Sequence, residues 1–167
     1  MKAIAIASSV LALGSAAAAA EADRPAPQMS FVFEESFAVG PARIAGDTPE
    51  GRRQSVPVLG GGIAGPGISG RVLAGGADEQ LVRPDGAVTI DARFDLETDD
   101  HVRIRVHNLG IVVPPKEGRA AYAWSVQSFE APAGRYGWLN SAVFVSRIGV
   151  AVDKDRRTVR LTVFKVG

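Results

Sequence analysis

Residues 88–107 read VTIDARFDLETDDHVRIRVH, and this stretch decides the fold class. Apolar and polar side chains alternate from Val88 to Leu96, and the alternation resumes from Val102 to Val106. A period of two residues indicates a half-buried β-strand, because successive side chains of a strand point to opposite faces. The turn sequence TDD at 98–100 separates the two runs. The stretch therefore predicts two neighbouring antiparallel strands.

The same alternation recurs outward from this pair, and no window after the first twenty residues carries apolar residues at helical spacing. Turn sequences such as PDG at 84–86 and PAG at 132–134 stand where the alternation stops. Short connections make consecutive strands antiparallel neighbours, because parallel strands need a long crossover. We predict a meander with strands near 29–38, 54–59, 63–74, 79–83, 87–97, 101–109, 122–130, 136–147 and 157–166.

A meander of this length has two ways to bury its apolar face: it closes on itself or folds into a two-layer sandwich. Closure also removes the exposed edges of the sheet. An eight-stranded barrel is just wide enough to hold one small ligand. We therefore predict an all-β fold, a single closed antiparallel up-and-down barrel of about eight to nine strands, with the sandwich as the alternative.

The first twenty residues have the features of a secretory leader. Lys2 precedes an apolar segment from Ala3 to Gly14, and small residues at 18–20 form a cleavage site, with cleavage after Ala20 or alternatively after Ala22. The apolar run is shorter than the roughly 20 residues that span a bilayer. We predict a periplasmic or secreted protein without stable membrane insertion, composed of a signal peptide at 1–20, a flexible linker at 21–28 and a barrel domain at 29–167.

Charge and composition narrow the classes of partner. The chain has 19 Lys and Arg against 18 Asp and Glu, so removal of Lys2 with the leader leaves a neutral domain, and we expect no nucleic-acid partner. There is no cysteine, and the two histidines, His101 and His107, are six residues apart on one predicted strand. At ~3.4 Å per residue they lie on the order of 20 Å apart and cannot share an ion. We expect no metal and no cofactor.

A series of short glycine-rich and charged motifs runs along the predicted barrel. They are GRR at 51–53, GGAD at 75–78, RPDG at 83–86, DAR at 91–93, TDD at 98–100, NLG at 108–110 and YGWLN at 136–140. In order and spacing, from about Phe31 to Val166, the chain resembles the DUF3237 family, also called UPF0311. The resemblance implies a small closed antiparallel barrel of the calycin-like kind and names no reaction.

Carboxylates and arginines around the glycine-rich motifs are the candidate chemical groups. A carboxylate in a partly apolar cavity has its pKa raised, so it becomes a usable base or acid, and an arginine can hold a carboxylate or enolate. For Asp91 and Arg93 the alternative is a surface ion pair on the polar side of their strand. The predicted catalytic residues are Asp78, Glu130 and Arg52, and the predicted ligand-binding residues of this set are Arg53, Asp91 and Arg93.

Aromatic residues supply a second candidate surface. Tyr136, Trp138 and Asn140 alternate within the predicted strand at 136–147, so we expect their side chains to share one face. Such residues either pack a core or form a ligand wall, on which Trp138 offers a flat apolar surface and Asn140 orients a polar group.

Two functions follow from these residues. The first is binding of a small organic molecule in the barrel lumen. The alternative is a cofactor-free isomerase, cyclase or lyase that acts on a carbonyl or aromatic metabolite, with Asp78 or Glu130 as general base and Arg52 or Arg93 stabilising an anion. A purely structural role is the third reading.

Overall fold

The computed structural model describes residues 25–154 and 156–167, so the predicted signal peptide lies outside the described residues. The described part contains ten strands and one short 3-10 helix at Gly137–Ser141. The strands are β1 (Met29–Val39), β2 (Arg43–Thr48), β3 (Gly51–Gly65), β4 (Ile68–Val72), β5 (Ala77–Val82), β6 (Val88–Thr98), β7 (Arg103–Val113), β8 (Tyr122–Glu130), β9 (Val143–Asp153) and β10 (Arg156–Val166). In these two ranges, no helix has the length and hydropathy that a bilayer crossing requires.

The strands close into an antiparallel barrel with eight positions around its circumference. β1 pairs with β10 on one side and with β3 on the other, and β6 to β10 follow one another in chain order. β2 continues the path of β1 and pairs with β3, while β4 and β5 share the position between β3 and β6. The predicted closed up-and-down barrel is therefore confirmed.

Close approach of β1 and β3 explains one of the glycines in the glycine-rich run. Gly61 lies opposite Phe37, and a Cβ at this position would collide with the carbonyl oxygen of Ser36 and the backbone of Phe37. A side chain here would therefore push the two strands apart. Glycine in a strand commonly marks such a contact.

One end of the barrel, which we call the base, is filled by aromatic side chains. The rings of Phe33 and Phe144 are fully buried and both contact Phe129 edge to face, with centroids 5.9 and 5.0 Å away. The 3-10 helix covers this end and buries Leu139 against the core. Edge-to-face packing is a favourable arrangement of aromatic rings. The base is thus a solid hydrophobic core.

The strand predicted at 136–147 is wrong over its first half. Residues 137–141 form the 3-10 helix, and β9 begins only at Val143. The backbone N–H of Leu139 donates to the carbonyl of Tyr136, and the Asn140 side chain pairs with both backbone groups of Ala131 at 2.8 Å. These local hydrogen bonds hold the chain in a turn rather than an extended strand.

Other strand boundaries also differ from the prediction. β3 runs without a break through the glycines at 60–62, where we expected a gap between two strands, and β4 covers only Ile68–Val72. His101 lies in the turn before β7, with a φ of 62°, and not in a strand. β2 was not predicted, because most of its side chains are exposed and it lacks an apolar face.

Candidate functional site

A cavity of about 240 Å³ occupies the half of the barrel opposite the base. Its wall is mainly apolar, and it reaches the surface near Val88, Val150 and Arg157; we call this end the mouth. The inward side chains here include Val56, Ala92 and Val159, all smaller than the phenylalanines of the base. Because these side chains do not meet across the lumen, a hollow remains. Its polar lining consists of Gln54, Asp78, Gln80, Asn108 and Arg157.

Asp78 projects into this cavity from β5. It lies opposite Val56 of β3 and Ala92 of β6, and both of these side chains also line the cavity. Its Oδ2 accepts a hydrogen bond of 2.6 Å from Nε2 of Gln80, and its Oδ1 accepts one of 3.1 Å from the backbone N–H of Asp91. One donor on each oxygen fixes the orientation of the carboxyl group.

The hydrogen-bond chain extends from Asp78 towards the mouth. Gln54 Nε2 donates to Gln80 Oε1 at 2.7 Å, and Gln80 in turn donates to Asp78. The two glutamines therefore hold each other's amide orientation, and both line the cavity. The three side chains form one polar strip in an otherwise apolar wall.

Burial raises the pKa of the Asp78 carboxyl. The hydrogen bonds from Gln80 and from the Asp91 backbone oppose this rise, and the negative charges of Asp91 and Glu79 add to it. Desolvation disfavours the charged form of a carboxyl group. A carboxyl whose pKa is moved towards neutrality is suited to accept and return a proton.

Asp91 and Arg93 lie on the outer surface of β6. Arg93 Nη1 is 2.8 Å from Asp91 Oδ1, and His107 Nε2 is 2.9 Å from the same oxygen. Neither residue lines the cavity, and both side chains are substantially exposed. Of the two readings given from the sequence, the structure shows the surface ion pair.

The two predicted arginines of the GRR motif stand at the edge of the mouth. Arg52 Nε is 3.0 Å from Asp47 Oδ1, and both side chains are more than half exposed. Arg53 is exposed on the next position of β3. Neither belongs to the cavity lining, which on this strand begins at Gln54.

The remaining predicted residues lie at the base, away from Asp78. Glu130 is exposed at the end of β8 and lies opposite Arg105, three residues beyond the lining residue Asn108 towards the base. The Trp138 ring is tilted against that of Phe144, with centroids 5.8 Å apart and an interplanar angle of 55°. The hydroxyl of Tyr136 donates to Asp100 at 2.8 Å, and Asn140 holds the backbone of Ala131. The structure thus brings only Asp78, among the predicted site residues, to the cavity.

Sequence reasoning missed four polar lining residues and a buried carboxyl below them: Gln54, Gln80, Asn108, Arg157 and Glu35. The alternation of inward and outward residues contained a signal for these positions. Asn108 continues the inward series of Ile104 and Val106, and Arg157 precedes the inward residues Val159 and Leu161. A polar residue at an inward position interrupts an apolar pattern, so it resembles the end of a strand.

Metal ligands do not assemble in the described part of the chain. Among residues 25–154 and 156–167, no group of three His, Asp or Glu side chains is placed to hold an ion. The polar groups that line the cavity are one desolvated carboxyl, three amides and one guanidinium.

These features define a class of protein: small closed antiparallel barrels with a plugged base and an apolar lumen that opens at the other end. The chain belongs to the DUF3237 family, described as proteins of unknown function, whose family model matches residues 27–166. The resemblance drawn from the ordered motifs is confirmed.

Three similar proteins show how far the likeness extends. A UPF0311 protein of Rhodopseudomonas palustris is 32% identical over 142 residues, covering 78% of this chain and 93% of the relative. The crystal structure of a protein of unknown function from Clostridium acetobutylicum matches with a TM-score of 0.76 at 30% identity, covering 84% of this chain and 99% of that one. The hydroalkoxylation enzyme phnH of Penicillium herquei is 29% identical over 134 residues, covering 79% of this chain and 82% of the relative.

Proposed function

We propose that the barrel binds a small, largely apolar organic molecule in its lumen, with its polar group directed at Asp78. The observation that carries this proposal is the cavity of about 240 Å³ with an oriented, desolvated carboxyl in an apolar wall. Ligand pockets are typically apolar and carry a few convergent polar groups. The cavity is slightly smaller than the roughly 300–1,000 Å³ of drug-sized sites, which favours a compact ligand.

The position of the polar strip supports a defined ligand orientation. Gln54 and Gln80 lie between Asp78 and the rim, and each amide uses one N–H in the hydrogen-bond chain. Their remaining N–H groups are donors that a ligand carbonyl can use, while Asp78 accepts from a ligand hydroxyl. A molecule with a hydroxyl or carbonyl on a ring-sized apolar body matches this lining.

Ligand binding is tested by a native mass-spectrometry and thermal-shift screen of small aromatic and carbonyl compounds, since a bound ligand raises stability by mass action. The matched variants are Ala92→Phe, which fills the cavity beside Asp78, and Thr89→Phe, which places the same ring on the exposed face of the same strand. We expect hits on the wild type and on Thr89→Phe, and none on Ala92→Phe. Equal binding by Ala92→Phe would refute a lumenal site.

A second candidate function is a cofactor-free enzyme, and the name of the Penicillium herquei relative favours it. Hydroalkoxylation is the addition of an O–H group across a carbon–carbon double bond. A general base removes the hydroxyl proton, the oxygen bonds to one alkene carbon, and the other carbon takes up a proton. Atoms therefore balance without an oxidant or cofactor. The position of Asp78 on the cavity wall, together with the rise in its pKa that burial causes, supports a role for its carboxyl in the first of these steps.

Substitution of Asp78 separates the two functions. Asp78→Asn keeps the size of the side chain but cannot accept a proton, so an enzyme should lose turnover by about 10²-fold or more while affinity changes little. Turnover is measured by chromatography of a hydroxyl-bearing enone or styrene substrate. Asp91→Asn, on the outer face next to the same network, is the control and should retain activity. Turnover that survives in Asp78→Asn would show that this carboxyl is not the general base.

We further propose that the protein is exported to the periplasm or secreted. The support is the apolar N-terminal segment with its small-residue cleavage site at 18–20. N-terminal sequencing of the protein recovered from cell fractions tests this proposal. A mature chain that starts at Glu21 or Asp23 in an exported fraction is expected, and an unprocessed chain in the cytoplasmic fraction would contradict it.

A further inference from the structure

Beneath the cavity lies a second group of polar side chains, which we call the floor cluster. All are buried with at most 4% of their surface exposed, and they are Glu35, Asn108, Ser125, Gln127 and Ser146. Gln127 Nε2 donates to Glu35 Oε2 at 3.1 Å. Each residue nevertheless keeps one polar atom without a hydrogen-bond partner among the described protein groups: Glu35 Oε1, Asn108 Oδ1, Ser125 Oγ, Gln127 Oε1 and Ser146 Oγ.

The register of the barrel places this cluster directly under the proposed ligand site. Glu35 precedes Phe37 by two residues on β1 and lies opposite Leu161 of β10, and both of these residues line the cavity. Gln127 lies opposite Asn108, which itself lines the cavity. The Glu35–Gln127 hydrogen bond therefore crosses the lumen at the bottom of the cavity. Asn108 belongs both to the cavity lining and to the floor cluster, and so connects them.

One side of the floor is built of small residues. Gly110, Ser125 and Ser146 lie opposite one another on β7, β8 and β9. A Cβ on Gly110 would come within 2.7 Å of the Ser125 Cβ, so a larger residue cannot replace this glycine without displacing β8. Ser125 lies two residues before Gln127 on the inward face of β8, and Ser146 lies opposite Ser125, so this side of the floor carries no bulky side chain from these three positions.

The free atoms of the cluster are chemically complementary to a single hydroxyl group. A neutral carboxyl group has an O–H to donate, and the side-chain carbonyls of Gln127 and Asn108 can only accept. A hydroxyl accepts from the first and donates to one of the others. Buried polar atoms without partners are rare in native proteins, because each retains its desolvation cost. Five of them in one place indicate a polar guest.

We propose that the floor cluster binds one hydroxyl group, carried either by a water molecule or by the ligand of the cavity. The Glu35 carboxylic acid donates to the hydroxyl oxygen, and Gln127 or Asn108 accepts the hydroxyl proton. For the ligand source the inference rests on the proposed function, and it names the ligand class: an alcohol or phenol whose hydroxyl group enters the lumen first and reaches the floor, while a second polar group of the same molecule faces Asp78. Burial raises the pKa of Glu35 to about 8, so this side chain is a neutral donor at pH 7.

The first test is a high-resolution crystal structure of the ligand-free protein. We expect an ordered water within hydrogen-bond distance of Glu35 and of Gln127 or Asn108, and its loss in Gln127→Leu. Asn108→Leu serves the same purpose if Gln127→Leu fails to fold. A floor with neither water nor any other hydroxyl in contact with Glu35, both without ligand and with phenol bound, would overturn the proposal.

The second test compares phenol with toluene, two probes of nearly equal shape that differ by the hydroxyl group. If the ligand supplies the hydroxyl group, titration calorimetry should show the wild type binding phenol about tenfold more tightly, since a site built for a hydroxyl discriminates against the analogue without it. Gln127→Leu should reduce this preference to under about threefold. Glu34→Gln, whose side chain lies on the outer side of β1 next to Arg160, should retain it.

The two sources of the hydroxyl give different crystal structures. If the ligand supplies it, the phenol oxygen replaces the floor water; if water supplies it, the water remains beneath both probes and their affinities are equal. Equal affinities with no floor water refute the inference. Failure of both probes to enter the lumen would count against the proposed function, whereas the ligand-free structure still decides whether the floor holds water.

Discussion

The mouth half and the base half of the barrel are built from the same strands with the same inward and outward alternation, yet one half is hollow and the other is solid. At the base, Phe33, Phe129 and Phe144 meet across the lumen. At the mouth, positions such as Val56 and Ala92 carry smaller side chains and leave a cavity. The alternation therefore determines that a barrel forms, and the volumes of the inward side chains determine where it is empty.

The two halves also differ in how their polar groups are satisfied. At the base, the Tyr136 hydroxyl and the Thr98 hydroxyl both donate to Asp100 Oδ1, and Thr98 also pairs with the backbone of Val102. Under the cavity, Glu35 and Gln127 each retain an atom without a protein partner. Satisfied polar groups stabilise a fold, whereas unsatisfied ones are a mark of sites that receive another molecule.

The largest expected effect is at the base. Phe144→Ala should destabilise the protein by about 3–5 kcal/mol, because it opens a void among three packed rings. Val88→Ala at the mouth should cost under about 1.5 kcal/mol, because this side chain already borders open space. Urea denaturation of both variants measures the difference. Equal losses would show that the two halves are packed alike.

The next effect concerns Glu35 and the dependence of stability on pH. The folded protein keeps this group neutral up to its pKa of about 8, whereas the unfolded chain ionises near the ordinary pKa of 4.5. Between these values the unfolded state binds fewer protons, so the free energy of unfolding falls by about 1.4 kcal/mol per pH unit. Glu35→Gln removes this titration. Between pH 5 and pH 7 the free energy of unfolding of the variant should therefore rise by about 3 kcal/mol relative to that of the wild type.

Denaturation curves at pH 5, 6 and 7 provide this comparison. Glu34→Gln is the matched control, because its carboxyl is partly exposed beside Arg160 and should leave the pH dependence of the wild type largely intact. If the stabilities of the wild type and of Glu35→Gln change in parallel with pH, Glu35 is ionised in the folded barrel and the prediction is wrong.

The smallest effect belongs to the outer wall. Arg93→Ala removes a partner of Asp91 on the surface of β6, where both side chains are substantially exposed. Exposed ion pairs contribute about 0.2–1 kcal/mol, so thermal unfolding should shift by only a few degrees and ligand binding should stay unchanged. A loss of ligand binding in this variant would show that Arg93 contributes to the ligand site.

Much of the barrel was predictable because strand alternation is local. The strand predicted at 122–130 coincides with β8, and the one at 87–97 is offset from β6 by one residue. The 3-10 helix was not predictable in this way: Tyr136, Trp138 and Asn140 alternate, but Leu139 turns inward three residues after Tyr136. Three alternating residues cannot distinguish a strand from a single helical turn.

The site was less predictable than the fold. Asp78 could be proposed because it stands in a glycine-rich bend, but the cavity depends on side-chain volumes contributed by many separate strands. Glu35 lies on the inward face with Phe33 and Phe37, so the alternation did point to it. A charged residue at such a position interrupts the apolar pattern, and a bulge between Phe31 and Phe33, which also buries Val32, obscures the inward face further.

The first and last described segments meet side by side at the plugged end. Gln28 and Gly167 exchange two backbone hydrogen bonds of 2.9 and 3.0 Å, next to the pairing of Met29 with Val166. A purification tag, a fused partner or a surface tether joined directly to Gln28 or Gly167 would therefore lie at the base, opposite the mouth. The mouth of a barrel tethered there would face the surrounding solution, so under the proposed function immobilised protein should take up its ligand as readily as free protein does.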